Sequence, residues 1–400
     1  MKFASRATSI SPFLAMAYGE KATELSEQGH QVIRLNLGEP DFGAPQPVLD
    51  AMKATLDDAS YPYTGALGLS ALRDAISTFY KTKHNVTVPA SRIVVTAGAS
   101  GALLLASAAL VENGDNVLLG DPSYPCNRRF LNAFGADVSL IPTTSESKFQ
   151  LTNRLVMQHW KPNTKGVLIA TPANPTGTAI DDQTLRDIGE TCKRNDAFLI
   201  VDEIYLDLAL AKTDNACARN DLHTVLSHEA LHDNTIVINS FSKYFGMTGW
   251  RLGWCVVPDN MVAVMERLAQ NLFICPSTLA QRAALACFSN DALIQCEQNR
   301  TTLSARATHV FKSLSNMGLP VEAYPDGAFY AYVNIKNTGL SAIQFCDQLL
   351  ETHHVALTPG NDFGEANASH YVRLSFATSD AELFEGLKRI AAFVRPLLQP

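Results

Sequence analysis

Unbroken apolar runs that each end in a turn are the feature that most constrains how this chain can fold. An unbroken run is typical of a strand that is covered on both faces, whereas a half-exposed strand alternates apolar and polar residues. Helical segments follow several of these turns, and strands that alternate with helices favour a parallel sheet. The runs lie at 92–97, 116–120, 166–170, 197–201 and 235–240, with a further short strand predicted at 250–257. The sequence therefore predicts an α/β fold with a mostly parallel sheet sandwiched by helices.

The pattern changes after Pro276. Long helices are predicted at 278–288 and 290–317, followed by strands at 321–324, 328–334 and 370–375 and a last helix at 380–398. This mixture indicates a second, smaller α+β domain, with which the N-terminal segment could pack. We expect a large domain at 32–287 and a small domain formed by 1–31 and 288–400.

The composition limits the partners of the chain. A formal net charge of −7 and an isoelectric point of about 5.8 argue against a nucleic-acid backbone as the main partner. The longest apolar run, 102–111, is too short to span a bilayer. We therefore expect neither nucleic acid nor membrane as a partner.

The cysteines and the N-terminus bear on the compartment. The eight cysteines are scattered without a Cys-x-x-Cys pair, which is typical of reduced thiols in a cytosolic protein. The start of the chain is basic, rich in serine and threonine and free of acids before Glu20, which is similar to a transit peptide. It contains nothing that resembles a cleavage site and runs into a helix predicted at 21–28. We therefore expect a folded segment and a cytoplasmic protein.

A lysine follows the last of the long apolar runs. Lys243 comes directly after Ser242, with Ser240 before them and Arg251 eight residues later. Burial lowers the pKa of a lysine toward the neutral amine that reacts with aldehydes. Two hydroxyls and a guanidinium are suitable donors to a phosphate. Together these residues suggest pyridoxal phosphate, although Ser-x-Ser-Lys alone is a weak signal and most lysines are solvated surface charges.

Other polar residues follow neighbouring strands, where ligands bind in parallel sheets. Asp202 comes directly after the run 197–201. Its carboxylate could keep a pyridine nitrogen protonated, or it could cap the next segment. Tyr205, three residues later, could turn its hydroxyl to the same ligand. Asn174 lies on a turn shaped by two prolines and a glycine, and its amide could donate to a phenolate oxygen, although such turns are common.

The first turns of the sheet allow two interpretations. Tyr124, held between prolines, could stack on a flat cofactor or be a packed surface aromatic. The turn 98–101 (Gly-Ala-Ser-Gly) joins a strand to a helix, so its backbone N–H groups could hold a phosphate. With Asp121 twenty residues later, this turn loosely resembles a dinucleotide fingerprint. The Gly-x-x-Gly spacing is wrong for that fingerprint, and Pro122 after the acid favours a turn.

His228 and His232 match the zinc-protease pattern His-Glu-x-x-His. That chemistry needs both histidines on the interior face of a stable helix, and a third ligand. A turn and a strand follow His232 at once, and helical spacing puts both histidines on a solvated face. We interpret the match as a coincidence and expect no metal.

Arg373 lies in the strand predicted at 370–375. An arginine in an alternating strand is usually a surface residue. If it points into a cleft, its bidentate fork suits an α-carboxylate.

Taken in order, these segments resemble the class I/II aminotransferases, which are fold-type I enzymes that use pyridoxal phosphate. The resemblance runs from about residue 33 to residue 373, and its motifs are moderate alone but specific in this order. They are 36–42 (Asn-Leu-Gly-Glu-Pro-Asp-Phe), 63–65 (Tyr-Thr-Gly), 121–125 (Asp-Pro-Ser-Tyr-Pro), 174–177 (Asn-Pro-Thr-Gly), 201–205 (Val-Asp-Glu-Ile-Tyr), 240–243 (Ser-Phe-Ser-Lys), 249–253 (Gly-Trp-Arg-Leu-Gly) and 327–330 (Gly-Ala-Phe-Tyr).

The resemblance implies a role for each matching position. Lys243 would bind the cofactor aldehyde and move the substrate proton, and Asp202 would pair with the pyridine nitrogen. The other cofactor contacts would be Asn174 and Tyr205 with the ring oxygen, Tyr124 stacked on the ring, and Ala99, Ser100, Ser240, Ser242 and Arg251 with the phosphate. Tyr63 would reach the phosphate of a neighbouring subunit, which implies a homodimer with shared sites.

The resemblance also implies the substrate contacts. Arg373 would bind the α-carboxylate, and Gly38 and Asn174 would border the substrate. Many members of the family carry Pro-Ser near the start of the N-terminal helix, whereas this chain has Pro12 and Phe13 there. If that segment lines the cleft, as in the relatives, Phe13 makes the side-chain pocket apolar. We therefore expect an aminotransferase that moves the amino group of an L-amino acid, apolar or aromatic, to a 2-oxo acid. Another reaction of the same cofactor, such as cysteine-S-conjugate β-lysis, is the alternative within this fold. A non-enzymatic sensor domain that binds the cofactor is a third possibility, which the acidic charge disfavours.

Overall fold

Strands and helices alternate through most of the chain. The computed structural model describes residues 1–4, 7–8, 10–58, 60–212 and 222–398, and across these ranges no helix is long and apolar enough to cross a membrane. The strands are β1 (Ile33–Arg34), β2 (Ile93–Thr96), β3 (Asn116–Asp121), β4 (Asp137–Pro142), β5 (Thr164–Ala170), β6 (Phe198–Asp202), β7 (Thr235–Ser240), β8 (Gly253–Val256), β9 (Tyr330–Asn334), β10 (Val355–Ala356), β11 (Thr358–Pro359) and β12 (Tyr371–Ser375). The α-helices are α1 (Leu14–Glu27), α2 (Gln46–Asp57), α3 (Ser70–His84), α4 (Gly98–Leu110), α5 (Pro125–Ala133), α6 (Asn153–His159), α7 (Asp182–Arg194), α8 (Val262–Leu272), α9 (Thr278–Ala284), α10 (Asn290–Asn316), α11 (Ala342–His353) and α12 (Asp380–Val394).

Seven of these strands form the main sheet, in the order β2-β8-β7-β6-β5-β3-β4. β8 is antiparallel to β2 and to β7, while all neighbours from β7 to β4 are parallel. The prediction of a mostly parallel sheet is confirmed. Because β3, β5, β6 and β7 run the same way, their last residues, Asp121, Ala170, Asp202 and Ser240, lie along one edge of the sheet.

Apolar side chains cover the main sheet on both faces. Consecutive residues of a strand point to opposite faces, and in β6 Leu199 and Val201 lie in one core while Ile200 lies in the other. Helices α3 and α7 contribute to the first core, and α4 and α8 contribute to the second. Burial on both faces is the reason why the strands are unbroken apolar runs.

The C-terminal region contributes two smaller sheets. β12 lies between β11 and β9 and is antiparallel to both, and β1 pairs in parallel with β10. Arg373, at the centre of β12, is paired with Thr358 on one side and Tyr332 on the other. Position 373 is therefore in an interior strand, where an arginine side chain is unusual.

One of the predicted strands was wrong, and another was too long. Residues 321–324 form a loop, and Tyr324 packs with its ring 4.5 Å from that of Phe311. Its apolar pattern reflects the packing of a loop rather than strand pairing. The strand predicted at 250–257 shortens to β8, because Arg251 adopts a left-handed backbone conformation with φ of 54°.

Candidate active site

A cavity of about 260 Å³ lies at the edge where the parallel strands end. Loops of the main sheet line it together with the start of α1 and β12. The predicted site residues that line it are Phe13, Gly38, Ala99, Ser100, Tyr124, Asn174, Asp202, Tyr205, Ser240, Ser242, Lys243, Arg251 and Arg373. Tyr63 is the exception, because it is 78% exposed on the surface. Residues that are far apart in the sequence thus converge on one space.

Lys243 lies in the turn that follows β7, with its ammonium group in the cavity. The Nζ atom donates a hydrogen bond to the backbone oxygen of Gly38 at 2.6 Å. Loss of hydration lowers the pKa of this group to about 8; Glu39 opposes the shift, and Arg373 adds to it. The neutral, nucleophilic amine is therefore accessible near physiological pH.

Asp202 ends β6 and is only 4% exposed. Its carboxylate accepts a hydrogen bond from the backbone N–H of Ile204 at 3.3 Å. Burial raises the pKa of Asp202 to about 6, and the Ile204 N–H, Asn127 and Lys243 partly oppose this shift. A cation would stabilise a carboxylate that is buried in this way, and a protonated pyridine nitrogen could supply that cation.

Arg373 is 1% exposed and points into the cavity, so it is not the surface residue that its strand pattern usually indicates. Its Nη1 donates to Oδ1 of Asn174 at 2.8 Å, and its Nη2 donates to the backbone oxygen of Asn36 at 2.6 Å. The guanidinium lies between the rings of Tyr330 and Phe363, at 4.5 and 4.8 Å. These partners are neutral, so the charge of Arg373 is available to a carboxylate. Because Asn174 accepts through its oxygen, its amide N–H groups remain free to donate.

The phosphate-binding features lie at the other end of the cavity. The hydroxyl of Ser240 donates to that of Ser242 at 2.9 Å, and α4 begins at Gly98, so its first N–H groups are free. Gly98 has φ of +72°, and a Cβ atom there would lie 2.7 Å from Nη2 of Arg251. A Cβ atom on Gly253 would lie 2.7 Å from the backbone nitrogen of Ala99. The two glycines therefore allow a cradle of backbone N–H groups, hydroxyls and a guanidinium that fits a phosphate.

Aromatic residues form the walls of the cavity. Tyr124 directly precedes α5, and its ring meets that of Phe13 edge to face with centroids 6.0 Å apart. Tyr205 is buried and its hydroxyl lies 2.7 Å from that of Tyr330. With a reactive lysine, a buried aspartate and a phosphate cradle, these walls fit the flat ring of pyridoxal phosphate.

Two residues of this region were not assigned roles from the sequence. Tyr330 ends the motif Gly-Ala-Phe-Tyr, which carried the resemblance without indicating a task for the hydroxyl. Asp362 accepts hydrogen bonds from the backbone N–H groups of Leu14 and Ala15 at 2.9 and 3.1 Å. No local pattern could reveal this contact, because its partners are separated by 348 and 347 positions.

The alternative motifs have other structural explanations. His228 lies between two short 3₁₀ turns and His232 directly follows the second, so the two are not on a solvated helix face and that detail of the prediction was wrong. His228 is buried with Nε2 2.8 Å from Asp182, while Nε2 of His232 contacts the backbone oxygen of Leu226. Asp121 ends β3, and its carboxylate accepts the backbone N–H groups of Glu365 and Ala366, which are 244 and 245 positions away in the sequence, so it holds a distant loop.

Comparison with known proteins identifies the family. The family model for class I and II aminotransferases matches residues 30–390. The valine–pyruvate aminotransferase of Mycobacterium tuberculosis is 36% identical over 386 residues, which cover 96% of this chain and 97% of that protein. The crystal structure of an aminotransferase from Mycobacterium tuberculosis superposes with a TM-score of 0.93 at 35% identity, covering 99% of this chain and 100% of that one. The aspartate aminotransferase from Thermus thermophilus with maleate has a TM-score of 0.90 at 28% identity, covering 98% and 99%. This chain therefore belongs to the class I and II aminotransferases, the fold-type I enzymes that use pyridoxal phosphate to transfer amino groups.

Proposed function

We propose that this aminotransferase takes its amino group from L-amino acids with apolar or aromatic side chains. The observation that carries the proposal is the set of charges in the cavity. Its cationic lining residues are Lys243, Arg251 and Arg373. Each of these has a role in holding the cofactor or the α-carboxylate, so none of the described lining residues is left to neutralise a second carboxylate.

The remaining walls of the cavity support the same substrate class. Phe13, Ala15, Met16 and Leu37 contribute apolar surface. Glu39 also lines the cavity, and a carboxylate there repels an acidic substrate side chain. The name of the relative that uses valine and pyruvate agrees with an apolar donor.

We assign the chemical steps to the residues as follows. When bound, pyridoxal phosphate supplies an aldehyde and an electron-accepting ring. The amine of Lys243 would hold the cofactor aldehyde, and as a general base it would move the proton from the substrate Cα. Asp202 would keep the ring nitrogen protonated, and Asn174 and Tyr205 would donate hydrogen bonds to the ring oxygen. The same residues then act in reverse on the 2-oxo acid, in a ping-pong sequence.

We further propose a cytoplasmic homodimer in which Tyr63 donates to the cofactor phosphate in the partner subunit. The high exposure of Tyr63, away from its own cavity, supports this role. Within each subunit we propose a large domain at 32–287 and a small domain formed by 1–31 and 288–400. In that division β1 pairs with β10 across the boundary.

The test is the visible absorbance of the purified holoenzyme during titration with single L-amino acids. We expect a band that bleaches with apolar or aromatic amino acids, resists aspartate and glutamate, and returns when a 2-oxo acid is added. The Lys243→Ala variant should lack both the band and the turnover. Release of ammonia without a 2-oxo acid would instead indicate a lyase, and bleaching by aspartate as readily as by leucine would refute the proposed substrate class.

A further inference from the structure

Two buried tyrosines share a hydrogen bond at the wall of the cavity. The hydroxyl oxygens of Tyr205 and Tyr330 are 2.7 Å apart, and the two residues are 3% and 0% exposed. Both line the cavity. In a pair of hydroxyls one donates and the other accepts, so the orientation of this bond depends on what else each group contacts.

The neighbours of Tyr330 connect it to the other functional groups. Its ring lies 4.5 Å from the guanidinium carbon of Arg373. Its hydroxyl occupies the space beside Gly38, where a Cβ atom would lie 2.7 Å from it. The backbone oxygen of Gly38 in turn holds Nζ of Lys243. A side chain at position 38 would therefore collide with the Tyr330 hydroxyl. Glycine is needed there for this reason, in addition to its expected role of making room for the substrate.

The direction of the shared bond follows from the task of Tyr205. A hydroxyl has one proton. If Tyr205 donates that proton to the ring oxygen of the cofactor, it can interact with Tyr330 only as an acceptor. Tyr330 must then donate, and this donation strengthens Tyr205 as a donor, because hydrogen bonds in a chain polarise one another.

We propose that Tyr330 is a positioning residue of the amino-transfer reaction, which donates to Tyr205 and thereby directs the Tyr205 hydroxyl at the ring oxygen of the cofactor. This inference rests on the proposed role of Tyr205. A strong hydrogen-bond donor stabilises the negative charge on the ring oxygen. The ring oxygen then attracts the proton on the nitrogen contributed by Lys243 less strongly. This nitrogen therefore loses its proton at a lower pH.

The experiment compares Tyr330→Phe with Tyr332→Phe in the holoenzyme without substrate. Tyr332 is a matched control because it is buried and lies two residues later on β9. Its ring stacks on that of Tyr371 with centroids 4.6 Å apart, and Tyr332 does not line the cavity. The visible absorbance of the bound cofactor is measured as a function of pH. The readout is the pH at which half of the change in absorbance has occurred, which is called the midpoint below. Removing one hydrogen bond should raise the midpoint by about half a unit to one unit in Tyr330→Phe, and leave it unchanged in Tyr332→Phe.

The charged groups around Lys243 stay the same in both variants. They are Glu39, Arg373, Arg251 and Asp202. A change in the midpoint therefore reports on the tyrosine pair. The phenylalanine ring should still pack on Arg373, so we expect kcat to fall several-fold with little change in KM.

A double-variant cycle distinguishes a relay through Tyr205 from a general packing effect. If Tyr330 acts through Tyr205, adding Tyr330→Phe to Tyr205→Phe should leave the midpoint where Tyr205→Phe puts it. A full additional shift in the double variant, or an unchanged midpoint in Tyr330→Phe, would overturn the inference and leave the proposed function intact. A wild-type protein that takes up no cofactor would overturn both.

Discussion

The first turn of α1 is capped by a side chain from the far end of the chain, and removing that side chain should loosen one wall of the active site. The residue before this helix is Phe13, which has no side-chain acceptor for the free N–H groups of the first turn. Asp362 supplies the acceptor through its two bonds to Leu14 and Ala15. It is only 5% exposed, so water does not readily replace it.

The size of the destabilisation expected in Asp362→Ala follows from these two hydrogen bonds. Loss of a capping side chain costs about 0.5–2 kcal/mol, and a hydrogen bond to a charged group contributes about 1.5–3 kcal/mol. The desolvation of the Asp362 carboxylate, which raises its pKa, offsets part of this gain. We therefore expect Asp362→Ala to destabilise the docked first turn by about 2 kcal/mol, or roughly 30-fold in its equilibrium.

Function should respond through the residues that this turn positions. Phe13 and Met16 line the cavity, so their displacement should lower kcat/KM for leucine and phenylalanine more than for alanine. Hydrogen exchange measures the structural change, because the N–H groups of Leu14 and Ala15 should exchange roughly 30-fold faster. Asp362→Asn keeps one acceptor oxygen, so its increase in hydrogen exchange and its decrease in kcat/KM should both be smaller.

Asp181→Ala is the matched control for a lost cap. Asp181 accepts the N–H of Thr184 at 2.9 Å at the start of α7, which does not line the cavity. This variant should lose stability without any change in substrate selectivity or in exchange at α1. Unchanged exchange of Leu14 and Ala15 in Asp362→Ala would refute the reasoning, and so would an equal loss of kcat/KM for alanine and leucine.

Two further predictions concern the charged groups of the cavity. Arg373→Ala should lower kcat/KM about ten- to hundredfold for every amino acid, mainly through KM, because in its proposed role Arg373 binds the α-carboxylate that all amino acids share. Steady-state kinetics over a panel of amino acids tests this, and a loss that depended on the side chain would contradict it. Since the pKa of Lys243 is lowered to about 8, the neutral amine increases about tenfold per pH unit below 8 and levels off above it. The rate at which the apoenzyme takes up pyridoxal phosphate, followed by stopped-flow absorbance, should have this profile, whereas a rise that continued to pH 10 would indicate an unperturbed lysine.

The sequence was most informative about the main sheet and the residues at its edge. Strands that are buried on both faces are apolar at most positions, so β5, β6 and β7 could be identified locally. Parallel strands place their ends together. The position of Asp202 and Lys243 after two such runs was therefore enough to predict that they meet in one cavity.

Local patterns were least informative where one sequence permits several environments. His228 and His232 match a metal-binding motif, but the backbone there forms 3₁₀ turns instead of a continuous helix, which sends the two rings to different partners. The loop at 321–324 has the composition of a strand but does not form one. In both cases packing against distant segments decided the conformation.

By itself, the sequence determined the fold class and the family, and it predicted the residues that would hold the cofactor, because short-range hydrophobic patterning and ordered motifs encode them. Only the tertiary structure decided how Arg373 is oriented, which hydroxyl Tyr205 contacts and what caps α1. These depend on contacts between segments more than 100 positions apart: Arg373 meets Asn36, Tyr205 meets Tyr330, and Asp362 meets Leu14. Such contacts leave no periodic trace in the chain, since each is formed by the packing of two elements rather than by the conformation of one.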